Sequence, residues 1–298
     1  MKTVLTSVLA GSLLATLAVA QSSHSAAVSG TAGQIHGRWT RTTPRPMSVL
    51  TSSDPNLLVY IVTNGLQFGV EDLRSGAFAP IGPGLPPEDA GVGLVPSPGK
   101  PLLTLAFTGD LIAIDAATGA TSLLGTTGLG DCSTPASPCG PKSAGFLGNL
   151  GGKLYATDFA NNLYSLDPKT GAAKVIGPTG IPAYTFNPNI FYDESLFSFR
   201  GKLYANFETV TFDPNSGGLT AVIPDALYEI DTKTGKATWI APTTFGLITI
   251  VTVNDTVYGF DGATGQIVHI DMTTGQTTPV AEIDPAIIIA VCGATPAR

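Results

Sequence analysis

Apolar residues recur along this chain in short runs and alternate with polar ones at a period of two, the pattern of half-buried strands. One run is written three times, as Gly152-Lys-Leu-Tyr-Ala156, Gly201-Lys-Leu-Tyr-Ala205 and Asp255-Thr-Val-Tyr-Gly259, with weaker copies at Val59-Tyr60-Ile61 and Leu103-Thr104-Leu105. A second strand follows each copy. Its alternation gives the columns Phe68/Val70, Ile112/Ile114, Tyr164/Leu166, Tyr228/Ile230 and Val268/Ile270, which are expected to face a neighbouring sheet.

These second strands end in an acidic turn: Asp115-Ala-Ala-Thr-Gly119, Asp167-Pro-Lys-Thr-Gly171, Asp231-Thr-Lys-Thr-Gly235 and Asp271-Met-Thr-Thr-Gly275. Glu71-Asp-Leu-Arg-Ser-Gly76 reads as a divergent fifth turn, one residue longer. The Asp side chain can accept backbone N–H groups further along the turn, and Gly supplies a positive φ at its end, so the turns read as structural.

A third strand after each turn (172–176, 236–240) and an apolar strand before each Leu-Tyr copy (145–150, 247–253) complete four strands per repeat. Four-stranded units repeated at this spacing predict an all-β fold, a β-propeller. The count is five blades, with six kept open because residues 37–50 have room for degenerate strands. The last inner strand, 286–292, has nothing after it, while the blade opening at Leu57 lacks an inner strand, so the C-terminal strand is expected to close the ring.

The N-terminus adds a second element. Lys2, the apolar run 4–19 and Ala18-Val19-Ala20 read as a signal peptide with an A-x-A cleavage site, which would leave Gln21 first. A membrane anchor is the other reading. The run is short for a span and is interrupted by Thr6, Ser7, Gly11, Ser12 and Thr16. The expected division is therefore a signal peptide at 1–20, a flexible lead and strap at 21–50 with Trp39 as anchor, and the propeller at 51–298. A secreted or periplasmic location follows, with no membrane span.

Composition narrows the partners. Charged residues make up 12% of the chain, the formal net charge is −7 and the basic residues are scattered, which speaks against a nucleic-acid backbone as ligand. His24, His36 and His269 do not cluster, so a His-built zinc site lacks its ligands. Cys132 and Cys139 bracket a Pro-rich stretch and read as a stapled loop. Their spacing is wider than that of a zinc knuckle, and Cys292 is left over at the far end of the last inner strand.

Candidate chemistry gathers on one face. Inner strands begin on the face whose rim also carries the loops between the second and third strands of a blade counted from its inner strand, the acidic turns lying on the opposite face. That rim collects residues 126–143, the aromatic and Asn-rich 184–194, the turns at Asp158 and Asp261, and a long hairpin over 207–225. Tyr184, Phe186, Asn187, Asn189, Asp158 and Asp261 are the candidate ligand-binding residues. Glu88, Asp193, Glu194 and Asp284 fall near the starts of inner strands, where converging carboxylates would suit a hard cation such as calcium. The alternative, that acidic residues simply end loops and begin strands, stays open.

The segments Lys202-Leu-Tyr, Leu227-Tyr-Glu-Ile-Asp231 and Thr234-Gly-Lys-Ala-Thr-Trp239 resemble the repeats of quinoprotein-type (PQQ-like) propellers and of exported bacterial propellers over most of residues 57–292. The resemblance implies blade architecture. The carboxylates at the channel mouth are also similar in placement to those of lactonase-type propellers. No Gly-x-Ser-x-Gly elbow, His-Glu-x-x-His, phosphate loop or EF-hand loop occurs. Two expectations follow. One is a monomeric binding or protein-interaction module that takes a protein, small-molecule or glycan ligand on its rim. The other is a calcium-dependent hydrolase or lactonase working at the channel mouth.

Overall fold

The structure is a computed structural model. It describes residues 57–63, 66–97, 100–130, 140–182, 190–212, 219–244, 246–262, 264–284 and 291–297, with the side chains of 100, 190–193, 210–212, 219–224 and 291–292 left aside. The signal peptide, the strap with Trp39, Cys132, Cys139, Tyr184, Phe186, Asn187, Asn189 and the hairpin tip at 213–218 lie outside the described residues.

Twenty strands form five four-stranded antiparallel sheets, and the protein is a five-bladed β-propeller. Blade two runs β4 (Gly91–Ser97), β5 (Lys100–Ala106), β6 (Asp110–Ile114) and β7 (Thr121–Thr126). Blade three runs β8 (Ala144–Leu150), β9 (Lys153–Asp158), β10 (Asn162–Leu166) and β11 (Ala173–Pro178). Blade four is β12 (Ile190–Phe199), β13 (Lys202–Phe212), β14 (Leu219–Ile230) and β15 (Ala237–Pro242), and blade five is β16 (Leu247–Val253), β17 (Thr256–Asp261), β18 (Gln266–Ile270) and β19 (Thr277–Glu282).

Blade one takes β1 (Leu58–Thr63), β2 (Phe68–Asp72) and β3 (Ala77–Pro80) from the start of the chain and its inner strand β20 (Val291–Pro296) from the end. The ring is therefore closed by the C-terminal strand. That strand lies later than the aliphatic run 286–292 from which it was expected, because its partners are set by register: Val291 faces Thr63 and Pro296 faces Val59. Cys292 accordingly sits near the start of β20, not at its far end.

Burial is divided into five apolar seams, one between each pair of adjacent blades. With each blade's strands lettered A to D from the inner one outwards, Ile114, Leu166, Ile230 and Ile270 fill them from the second column of the C strands, as the alternation predicts. Blade one departs from the reading. Gly76 N donates to the Asp72 carbonyl and Arg74 N to the Asp72 carboxylate, the same bonds that Gly119 and Ala117 make to Asp115. The fifth turn is thus of ordinary length and begins at Asp72. Shifting the frame by one residue flips every side chain to the other face. Gly69 and Glu71, not Phe68 and Val70, hold the column positions.

The turns also join neighbours. Asp115, Asp167, Asp231 and Asp271 each accept hydrogen bonds from their own turn, led by the Thr118 hydroxyl at Asp115 and by backbone N–H groups at the other three, and those bonds hold the carboxyls below their usual range. Each turn glycine lies against a backbone carbonyl at the end of the preceding blade's outer strand. A Cβ on Gly235 (φ 84°) would stand 2.6 Å from the Gly177 oxygen, and one on Gly119 (φ 72°) 2.7 Å from that of Ile81. Gly is needed there both for its backbone conformation and for the close approach.

Candidate functional site

The five inner strands enclose a narrow channel with a cavity of about 20 Å³, lined by small and aliphatic residues such as Gly93, Leu147, Leu196 and Gly293, with Glu194 as the one carboxylate among the described lining residues. It has room for little more than an ordered water, so an organic ligand does not fit at this level. Thr157 Oγ1 of β9 donates to Glu194 Oε2 at 3.4 Å, linking blade three to β12, and Ser195 Oγ accepts Ile250 N at 3.0 Å, tying the inner strands β12 and β16 together.

The four carboxylates expected at one mouth have different surroundings. Glu88 is exposed in a 3-10 turn, Pro87–Asp89. Glu194 is buried in the channel wall. Asp284 stands beside Glu71, near enough for its charge to act on that group. The backbone of Asp193 pairs with Glu208, and its side chain is outside the described set. Among the described residues no three acidic, His or Cys side chains are arranged to hold a metal ion.

Asp158 is engaged by its own turn. It accepts Ala160 N, Asn162 N and Nδ2, and the Tyr164 hydroxyl at 2.8 Å. Burial, and then this bond to Asp158, push the Tyr164 hydroxyl up to about 12. Asp261 accepts Thr264 N at 2.9 Å, and its carbonyl accepts Gly265 N. Both residues fix the loops that lead from B to C strands.

Two clusters escape a reading of the sequence. The first joins blades four and five, where Glu208 Oε2 accepts Gly246 N at 2.9 Å and Asp225 Oδ2 accepts Leu247 N at 3.3 Å. Their carboxyls lie close together, and burial raises both, Asp225 the more, which favours a proton on the pair over two buried charges. Asn206 donates to the Leu247 carbonyl and accepts Thr243 Oγ1. The network pins the start of β16 to the base of the blade-four hairpin.

The second is Glu71. It is fully buried at the seam of blades five and one, and both of its oxygens lack a hydrogen-bond partner. Burial first, then the charges of Asp284 and Asp72, push its carboxyl up to about 9. An acid at the residue before the turn Asp, where the other blades carry Ile or Leu, is the signal that aligning the turn on Asp72 exposes.

Blade four differs in length. Its first three strands have 10, 11 and 12 residues, against 4–7 in every other described strand. Ile190 pairs with Thr211 and Phe212 with Leu219, so the three strands continue together beyond the blade, on the side where inner strands begin. The segment 190–194, read from the sequence as rim loop, is strand.

No family model matches this sequence, and no match was found among curated proteins. Among solved structures the chain is similar to one described as a nidogen/laminin complex, at 12% identity over 80% of this chain and 97% of that chain, with a TM-score of 0.47. A structural-genomics protein of unknown function from Bacteroides thetaiotaomicron matches at 15% identity over 76% and 55%, with a TM-score of 0.44. The PQQ-bound aldose sugar dehydrogenase of Streptomyces coelicolor matches at 15% over 67% and 81%, with a TM-score of 0.39. It is the chain's own strand pairing that makes it a five-bladed propeller.

Proposed function

We propose that this protein is an exported binding module that engages a protein partner through the projection of its fourth blade. The carrying observation is the joint extension of β12, β13 and β14 past a ring that closes without it. Long elements raised on a rigid scaffold are where recognition concentrates, and an extension leaves backbone edges open that a partner can pair. Tyr184, Phe186, Asn187 and Asn189 precede β12 in sequence and are the proposed contact residues beside the Asp158 and Asp261 turns. Export, to a secreted or periplasmic location, is supported by the leader 1–20 and by the close Cys132 and Cys139 pair.

The test is to shorten the hairpin so that Thr209 leads through an Asn-Gly turn into Ile223. The shortened protein should melt like the wild type and lose capture of whatever the wild type retains from extracts of its own compartment. Capture that survives the deletion rejects the reading.

A further inference from the structure

The pairing of blade four changes register at Glu208. Phe207 pairs with Ala226 and Thr209 with Ile223, so Pro224 and Asp225 together stand opposite Glu208 in a bulge of β14. A bulge bends its strand and re-aims the side chains beside it. This one sits where the blade ends and its extension begins, since β15 pairs with β14 only as far as Ala226. We propose that Glu208 and Asp225 form a proton-operated latch at this bend: with one proton between them they hold the base of the extension against blade five, and with none they release it. The proposal rests on reading the extension as the binding surface, and it names how that surface is regulated.

The geometry of the pair requires the proton. Glu208 Oε2 and Asp225 Oδ2 accept the N–H groups of two consecutive residues, Gly246 and Leu247, at the start of β16. The remaining oxygens, Glu208 Oε1 and Asp225 Oδ1, are buried without a hydrogen-bond partner, and the two residues are 0% and 2% exposed. Two ionised carboxylates side by side in such a site repel each other and leave both oxygens orphaned. A proton on one of them lets it donate to the other and removes both costs.

The surrounding elements supply no opposing charge. β16 reads Leu-Ile-Thr-Ile-Val-Thr-Val, and Thr243, Thr244, Gly246 and Asn206 are neutral. From β17 comes Asp261, whose negative charge makes ionisation of Glu208 harder still. On β12, Asp193 is the register partner of Glu208, and Glu194 turns the other way, to Thr157 of blade three. Burial, the largest cause at both carboxyls, raises them above their ordinary range. Groups raised in the closed state hold it fully in acid, where the released groups are protonated as well, and lose their hold as pH climbs through the closed-state values.

Amide exchange of the full chain, corrected for the intrinsic rate at each pH, reads the latch at Gly246 and Leu247. Their protection in the wild type should fall by up to about tenfold per pH unit on the alkaline side of neutral. Glu208→Gln keeps an acceptor for Gly246 N and offers an amide donor to Asp225, so it stands in for the protonated pair, and its protection at these two amides should not change with pH. Glu71 is present in both proteins, so its own pH dependence cancels in the comparison. Wild-type protection that is flat with pH, or that falls equally in Glu208→Gln, overturns the latch. Should Glu208→Gln lose its cooperative melt, the carboxyl carbon shifts of the wild type decide instead: one of the two carboxyls must titrate above neutrality, and both ionised below it overturns the proposal. Capture by the extension, measured alongside, should weaken in alkali for the wild type and not for Glu208→Gln. Hairpin-dependent capture with exchange indifferent to pH removes the latch and leaves the binding surface standing, whereas a pH-responsive latch with capture that survives hairpin shortening does the reverse.

Discussion

Glu71 faces Val59 across the first blade, in the position where the second blade pairs Ile114 with Leu102. The seam between the last blade and the first is packed by Val59, Ile61, Val251, Phe260 and Ile283, so this one acid is set where its siblings are aliphatic. The ring's closure therefore has a built-in dependence on protonation.

Below pH 4.5 the carboxyl is protonated in both folded and unfolded chains, and the seam is at its most stable. As pH rises towards about 9 the unfolded chain ionises while the folded one resists, so stability is lost progressively, at up to about 1.4 kcal/mol per pH unit. Glu71→Ile should raise the melting temperature at neutral pH, by about 2–4 °C per kcal/mol regained, and remove this slope. Glu71→Gln should remove the slope without the full gain, because a buried amide still lacks partners. Parallel melting curves for wild type and Glu71→Ile from acid to alkaline pH would contradict the assignment.

Gly235→Ala and Gly201→Ala separate two costs. Both glycines have positive φ, but a Cβ at Gly201 meets nothing within 4 Å, whereas at Gly235 it meets the Gly177 carbonyl. Gly201→Ala should cost about 1–2 kcal/mol from backbone conformation alone. Gly235→Ala should cost roughly 1–3 kcal/mol more, because two blades must move apart. Urea midpoints measured side by side give the comparison, and equal losses would mean that the turns do not hold the blades together.

Ending the chain after Pro285 removes β20 and leaves blade one with three strands. Val62 and Ile61, now buried, lose their inner neighbour, and the β1 edge is opened to pairing with other chains. The truncated protein should aggregate or melt without a cooperative transition. A soluble product with an unchanged melt would show that the ring does not depend on its C-terminal strand.

Calcium should leave the melting temperature unchanged, since Glu88 is exposed, Glu194 lines the channel and Asp284 belongs to the Glu71 seam. A cation bound only by the folded state raises that temperature as its concentration grows. A rise that disappears in Asp193→Asn with Glu194→Gln would restore the four-carboxylate site as a real cation site.

What the sequence by itself determined is what local rules govern: the repeated Leu-Tyr strand, the alternation of the C strands, the Asp-x-x-Thr-Gly turns and four strands to a blade. Asp231 accepts the Lys233 N–H two residues on and the Thr234 hydroxyl three residues on, and alternation belongs to a single strand, so neither needs knowledge of the neighbours. What only the tertiary structure decided depends on which blade meets which. Register in blade one turned on whether Glu71 or Asp72 begins the turn, and a shift of a single residue exchanges the core face for the outer one. The Glu208–Asp225 pair joins opposite strands of a hairpin to the start of the next blade, and Asp284 meets Glu71 only because the last blade closes on the first. Such contacts between residues distant in the chain leave no periodic trace in it, because burial by a neighbouring blade, not any local preference, brings those carboxyls together.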